Sequence, residues 1–254
     1  MKNIKILIIS LCLSFFAMTA NADETPMPFQ PGEKLTYDLW WAFIPVGETT
    51  LEVKPRTTMN GETVWHFYME SKSNSFLDAL FKVRDYISSY VDEDMNHSLQ
   101  YDQNQEEGKF RRDILVDFDW KKNQAVWSNF GKKDPPLDVM EGSFDPLSII
   151  YKFRTFEIGM GKVNVAPVSD GKKSILGTAR VLKRETLKIG KIKYDTFLVE
   201  PEMKHIGGIF KKERSAKIKI WFTADQYHYP VRVESKVSIG SFWGEITKIE
   251  NGLK

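Results

Sequence analysis

Apolar and polar residues alternate along most of this chain, which is the period of a β-strand with one buried and one solvent-facing side. The first such run places Leu35, Tyr37, Leu39 and Trp41 on one face. The same pattern returns at 62–70, 113–120, 217–222 and 231–237. Strands with one buried face and one solvent-exposed face are typical of antiparallel sheets. The pattern therefore predicts a mainly β fold.

The turns and breaks between these runs predict the rest of the architecture. Asn60-Gly61 separates two alternating runs, and both residues tolerate the positive φ that a tight two-residue hairpin requires. Short connections of this kind make sequence neighbours into sheet neighbours. We expect a large curved antiparallel sheet, and the pattern leaves open whether it is a half-barrel or sandwich-like.

Two segments break the alternation and are predicted to be short helices. Residues 75–81 open with a capping-box pattern at Ser75. A second helix is expected to start at Asp145, a good N-cap, with Pro146 at its first position, and to continue until Gly159. Because apolar residues lie on most sides of the second segment, it should be buried, lying across the concave face of the sheet.

The N-terminus has the features of a cleavable signal peptide. Lys2 and Lys5 precede an apolar core at 6–16, and Ala20-Asn21-Ala22 supplies a small-x-small cleavage pattern. The sequence predicts cleavage after Ala22, which divides the chain into a signal peptide (1–22) and a single β-rich envelope domain (23–254) in the periplasm. An uncleaved membrane anchor would need roughly 18 or more apolar residues, so no transmembrane segment is expected in the mature protein.

Cysteine content and charge exclude several classes of protein. Cys12, the only cysteine, lies inside the predicted signal peptide, so the mature chain has no thiol for disulfides, metal sites or nucleophilic catalysis. Without Lys2 and Lys5, the mature chain carries 34 basic and 34 acidic residues. This balance argues against a nucleic-acid partner and against simple electrostatic docking on anionic lipid.

Motifs for catalysis or cofactor binding are missing from the sequence. The four histidines, His66, His97, His205 and His228, are too far apart to form a close ligand pair. The sequence contains no glycine-x-serine-x-glycine stretch and no glycine-rich phosphate loop. We therefore predict no metal, no cofactor and no catalytic residue.

Four charged residues form a candidate polar cluster: Arg84, Asp85, Asp145 and Arg154. A glycosidase needs only two carboxylates across a cleft, and Asp85 with Asp145 would be the pair for such an enzyme. The alternative is that these residues make structural ion pairs and helix caps. We favour the structural interpretation.

Tryptophan and phenylalanine are abundant, with 7 and 17 residues. Trp40 and Trp41 are neighbours on a strand and must face opposite sides, and Trp221 faces away from Ile220 and Phe222. An outward aromatic row would suit a sugar or an apolar chain. The alternative is that these rings lie under a second layer of sheet.

Several stretches together resemble an exported bacterial family called domain of unknown function 3108. They are Pro28–Tyr37, Ile44–Glu48, Phe81–Asp85, Phe144–Ser148 with Tyr151 and Arg154, Ile220–Asp225 and Tyr229–Val233. The resemblance covers nearly all of the predicted mature chain and implies an envelope protein without an assigned activity. By fold analogy, a curved sheet around a helix is similar to the lipoprotein-carrier type of half-barrel, which holds acyl chains.

The sequence thus favours a non-enzymatic periplasmic protein that binds or carries a lipid-like apolar ligand. The expected groove is lined by five side chains on the concave sheet face and the second helix: Trp41, Trp65, Phe67, Ile150 and Phe153. Two alternatives stay open, a carbohydrate-active envelope enzyme with paired carboxylates and a structural partner of an outer-membrane assembly.

Overall fold

The computed structural model describes residues 26–202, 217–237 and 240–253. The predicted signal peptide, its cleavage site and His205 lie outside these residues. Within the described ranges, no helix is both long and apolar enough to cross a membrane.

The described chain folds into fifteen strands and two short helices. The first half contains β1 (Lys34–Trp41), β2 (Ile44–Met59), β3 (Glu62–Ser73), α1 (Ser75–Asp78), β4 (Val83–Asp92), β5 (Ser98–Glu107), β6 (Phe110–Asp119), β7 (Gln124–Asn129), β8 (Lys132–Lys133) and β9 (Leu137–Asp138). The second half contains α2 (Ser148–Arg154), β10 (Val163–Ser169), β11 (Ser174–Ile189), β12 (Ile192–Glu202), β13 (Lys217–Thr223), β14 (Pro230–Val237) and β15 (Gly240–Glu250).

All fifteen strands belong to one antiparallel sheet, as the sequence predicted. Two meanders, β1 to β8 and β10 to β15, are joined by the pairing of β1 with β15, and β9 pairs with β7. The sheet is not closed, because its path ends at β10 on one side and β8 on the other. It is nevertheless strongly curled: the Cβ that Gly171 lacks, in the β10–β11 turn, would lie 2.7 Å from a methyl of Val116 on β6.

The predicted hairpin at Asn60-Gly61 is confirmed. Both residues have positive φ, 53° and 88°, and they connect β2 to β3. Asparagine and glycine adopt this conformation at low cost, which is why the pair forms a tight turn here.

A continuous apolar core lies between the curled sheet and α2. Tyr151 of α2 stacks on Phe67 of β3 with ring centroids 3.9 Å apart. Phe29 packs edge-on against both rings and against Trp65 at 5.0–5.5 Å. The buried aromatic side chains of α2 and of the segment before β1 therefore fill the space inside the curl.

Both helices are shorter than the sequence predicted, and their caps differ. α2 begins at Ser148, three residues after Asp145, and ends at Arg154, before Gly159. The Asp145 carboxylate still accepts bonds from the backbone N–H groups of Leu147 and Ser148, at 2.8 and 2.9 Å. In α1 the cap is Asn74 rather than Ser75, because the Asn74 side chain accepts the N–H of Leu77.

Among the aromatic residues that the sequence places opposite the core face, Trp221 is covered by other parts of the protein. Its side chain is buried, and its indole N–H donates to Glu185 of β11 at 2.9 Å. Buried Ile189, at the end of β11, belongs to the same core cluster as Trp221. β13 is therefore covered on the Trp221 side as well as on the Ile220 side.

Candidate apolar binding site

An apolar cleft lies between α2 and strands β10 to β13. It encloses about 470 Å³ of empty space, including the solvent at its mouth. Its walls are formed by Ile149, Ile150, Phe153, Phe156, Asn164, Ala166, Val168, Gly177, Thr178, Ala179, Pro201, Ile220 and Phe222. Asn164 and Thr178 are the polar side chains in this set.

The cleft exists because small side chains face large ones. Alternation along β10 turns Asn164, Ala166 and Val168 toward α2, whereas Val163 and Val165 are exposed on the opposite side. Gly177 and Ala179 pair with Ala166 and Asn164 on the neighbouring strand β11. Across from these small residues, α2 contributes Ile150 and Phe153. The helix cannot fill the space above alanine and glycine, so a gap remains.

Asn164 introduces one unsatisfied hydrogen-bond donor into this apolar wall. Its side-chain Nδ2 is buried and has no hydrogen-bond partner among the described residues. A buried donor without a partner costs about 1–3 kcal/mol. A ligand oxygen placed against Nδ2 would recover that cost.

The structure brings two of the five predicted groove residues together and separates the other three. Ile150 and Phe153 line the cleft. Trp65 and Phe67 lie in the closed core described above. Trp41 lies at the end of β1, is 38% exposed and stacks on Phe242.

The four residues of the predicted polar cluster do not meet in one place. Arg84 forms an ion pair with Asp78 of α1, at 2.7 Å. Arg154 forms a buried ion pair with Glu33. Asp145 binds the start of α2, and Asp85 interacts with β5. The structure assigns ion-pair or capping partners to Arg84, Arg154 and Asp145, as the structural interpretation expected.

Asp145 is fully buried and saturated with hydrogen bonds. In addition to two backbone N–H groups, its carboxylate accepts the hydroxyls of Ser89, Ser98 and Ser148, at 2.5, 2.6 and 2.8 Å. A carboxylate with five donors and no access to solvent has no room for a substrate. Asp145 therefore cannot supply one half of a glycosidase pair with Asp85.

Asp85 has a different neighbour, Glu107 on β5. Burial, and after it the adjacent negative charge of Glu107, together raise the pKa of the Asp85 carboxyl to about 6. The backbone N–H of Glu106 donates to the Asp85 carboxylate at 3.1 Å, and this hydrogen bond lowers the pKa of Asp85. The Asp85 carboxyl therefore titrates in the pH range just below neutrality.

Three tryptophans and one arginine on the outer face form a ladder across four adjacent strands. Trp40 of β1 and Trp243 of β15 stack at 5.1 Å with an interplanar angle of 6°. The Arg232 guanidinium of β14 lies 5.1 Å from the Trp243 ring and 5.4 Å from the Trp221 ring. Because Trp243 has a neighbour on either side, its ring faces are occupied within the protein.

A second recess borders this ladder, between the β11–β12 turn and the β1–β15 pair. It encloses about 820 Å³ of empty space, including open solvent. Its wall includes the charged residues Asp38, Lys191 and Glu245 beside Trp40 and Tyr194. In the part of the chain that the structure describes, no group of three His, Cys, Asp or Glu residues is placed to hold a metal ion.

Comparisons with known proteins agree with this architecture. The family model described as "Protein of unknown function (DUF3108)" matches residues 36–247. Among solved structures, the chain is similar to a β-barrel-like protein of domain of unknown function DUF1849 from Brucella abortus, with a TM-score of 0.51 and 12% identity. The alignment covers 86% of this chain and 96% of that one. No curated protein matches the sequence.

Proposed function

We propose that this chain, which belongs to the DUF3108 family of proteins of unknown function, is a non-enzymatic cell-envelope protein that binds a lipid-like apolar chain between α2 and strands β10 to β13. The observation that carries the proposal is the cleft itself. Its walls are almost entirely apolar and it opens to solvent, and an apolar cleft with a few polar groups is the usual form of a small-molecule site.

The chemistry of the walls favours one class of ligand. Apolar side chains on α2 and the sheet would stabilise a hydrocarbon chain by removing its surface from water. The unpaired Nδ2 of Asn164 is a hydrogen-bond donor, so the ligand should carry an acceptor. A fatty acid, an acyl ester or an acyl amide has both parts. A pure hydrocarbon would leave Asn164 unsatisfied.

The predicted signal peptide supports a location in the periplasm. In that compartment a cleft for acyl chains would shelter a molecule that water does not dissolve. We place no catalytic step at this site, because the wall-forming residues include no carboxylate, histidine, lysine or cysteine.

Native mass spectrometry of the protein purified from its own host tests this proposal, with solvent extraction to identify any bound molecule. A fluorescent fatty-acid probe measures binding to the emptied protein. Ala179→Phe should fill the cleft and weaken probe binding by about tenfold or more. Val165→Phe, on the outward side of β10, is the matched control and should bind the probe as the unmodified chain does.

Two results would overturn the proposal. One is a protein that carries no lipid and does not bind the probe. The other is probe binding that Ala179→Phe leaves unchanged, since the apolar chain would then occupy another place.

A further inference from the structure

Exposed phenylalanines are concentrated at one end of the sheet. Within the described residues, every phenylalanine with a largely exposed side chain lies in or beside the connections that join β1 to β2, β3 to β4, β5 to β6 and β7 to β8. These side chains, with one leucine, form what we call the apolar rim: Phe43, Phe76, Leu80, Phe81, Phe110 and Phe130. Their exposure ranges from 45% at Phe110 to 93% at Phe43.

The rim is one continuous edge. In an antiparallel meander every second connection lies at the same end of the sheet. Direct contacts join the first three of these connections: the N–H of Asn74 donates to the carbonyl of Val46 at 3.0 Å, and the N–H of Gly108 donates to the carbonyl of Lys82 at 2.8 Å. Adjacent strands are about 4.8 Å apart, so the rim follows an arc of roughly 30 Å along the sheet from the first connection to the last.

The opposite end of the same strands is polar. Its connections are the Asn60-Gly61 turn, residues 93–97 and residues 120–123. The large apolar side chains there, Met95 and Trp120, are buried or half-buried. Exposure of phenylalanine is therefore a property of one end and not of turns in general.

Positive charge accompanies the rim. Lys82, Lys109, Lys132 and Lys133 are exposed at the same end, and none of them forms an ion pair with another described residue. Acidic residues at this end include Asp78, which is paired with Arg84, Glu106, which lies 3.8 Å from Arg111, and Glu107, which lies beside Asp85. Exposed aromatic rings beside unpaired lysines are complementary to a surface whose outer groups are negatively charged and whose deeper layer is apolar.

We infer that the apolar rim binds the surface of a lipid bilayer containing anionic lipids. The phenylalanine and leucine side chains enter the boundary between headgroups and acyl chains, and the four lysines contact lipid phosphates. The exposed side chains are spread over an arc of roughly 30 Å, and a broad, fluid bilayer surface can contact all of them at once. The near-zero charge of the whole mature chain does not conflict with this, because the charge that matters lies within a Debye length of the membrane.

Vesicle co-sedimentation tests the inference, with vesicles of phosphatidylcholine alone and of phosphatidylcholine mixed equally with phosphatidylglycerol. The protein is purified after export, and its N-terminus is read by mass spectrometry, because residues 6–16 would bind vesicles if they were retained. We expect binding to the mixed vesicles to be about tenfold or more tighter than to the neutral ones.

Two sets of substitutions, each with a matched control, locate the binding surface. Serine at Phe43, Leu80 and Phe130 should weaken binding to the mixed vesicles by about tenfold. Serine at exposed Val165, Leu182 and Ile192 is the apolar control and should change it by less than about twofold. Glutamate at the four rim lysines should abolish the preference for anionic lipid. The same change at exposed Lys121, Lys188, Lys191 and Lys193 alters the net charge equally and should leave the preference intact.

All variants are at exposed positions, and their folding is checked by circular dichroism and thermal unfolding. Absence of binding to either vesicle, equal binding by the rim and control variants, or equal affinity for both vesicles would overturn the inference. The cleft variant Ala179→Phe should bind vesicles normally, so failure of the ligand proposal and failure of this inference can be distinguished.

Discussion

The guanidinium of Arg154 and the carboxylate of Glu33 form a two-point ion pair in which both side chains are only 1% exposed. Nη1 and Nη2 of Arg154 donate to the two oxygens of Glu33, at 2.5 and 3.0 Å. Two further N–H groups of the guanidinium donate to the carbonyls of Pro28 and Tyr227, at 2.7 and 3.0 Å. One side chain at the end of α2 thus connects the segment before β1 to the β13–β14 turn.

Breaking this pair should destabilise the protein severely. Arg154→Met leaves the Glu33 carboxylate buried without its partner, and we expect a loss of about 3–5 kcal/mol in the free energy of unfolding. The double variant, Glu33→Gln with Arg154→Met, should lose less free energy of unfolding than the two single variants lose in sum, because neither charge then remains unpaired. Urea denaturation of the four proteins gives the coupling energy.

The exposed pair Arg184–Asp195 provides the control for this experiment. Arg184→Met should leave the unfolding midpoint unchanged, since ion pairs in water contribute little. If Arg154→Met unfolds at the same urea concentration as Arg184→Met, the buried pair has no structural role.

Asp145→Asn should also destabilise the fold, although the shapes of the two side chains are nearly the same. The carboxylate receives three hydroxyl and two backbone donors. An amide replaces one acceptor oxygen with an NH₂ group, so some of these donors lose their partner. We expect a loss of about 2–3 kcal/mol by urea denaturation. Exposed Asp94→Asn, in the β4–β5 turn, should behave as the unmodified protein, and equal midpoints for the two variants would contradict our assignment.

The raised pKa of Asp85 predicts how stability depends on pH. Its carboxyl titrates near pH 6 in the folded chain and near 3.8 when unfolded. Between these values the folded state binds more protons than the unfolded state, so the free energy of unfolding falls as pH rises through this window. Asp85→Asn removes the titrating group. The free energy of unfolding of this variant should depend less on pH. At pH 7 it should exceed that of the unmodified protein by roughly 1 kcal/mol, after allowance for solvent screening.

NMR titration of the Asp85 carboxyl carbon separates the two causes of this shift. Glu107→Gln removes the neighbouring negative charge but not the burial, so the pKa of Asp85 should fall partway toward its ordinary value. An unchanged titration in that variant would show that Glu107 does not interact with Asp85.

The antiparallel sheet was predictable from sequence because the patterns that specify its strands and hairpins lie within short stretches of the chain. Each strand alternates, each hairpin is short, and Asn60-Gly61 has the backbone conformation that these residues favour. The pairing of β1 with β15 was not predictable in this way, because nothing in either strand specifies a partner about 200 residues away. The bounds of α2 were also missed: Asp145 accepts the N–H groups of Leu147 and Ser148 as the cap pattern predicts, but the regular helix begins only at Ser148 and ends at Arg154.

The candidate site was only partly predictable, and the reason is steric. The sequence placed a groove among the largest aromatic side chains, but Trp65 and Phe67 fill the concave face themselves, because Trp65 stacks on Phe67 and Phe67 stacks on Tyr151. Space remains instead where side chains are small, at Ala166, Gly177 and Ala179. Small residues at inward positions of neighbouring strands were the available signal.

Gly47→Ala should test why one stretch of the family pattern contains a glycine. Gly47 lies on β2 opposite Ser73 of β3, and an added Cβ would lie 2.2 Å from the carbonyl oxygen of Lys72. Backbone atoms cannot move aside as a side-chain end can, so the two strands must separate. We expect a loss of about 2–3 kcal/mol in the free energy of unfolding. Gly159→Ala is the control, because its nearest neighbours are side-chain atoms of Lys162 at 3.6 Å or more. If the two variants unfold at the same urea concentration, close approach of β2 and β3 does not require glycine at this position.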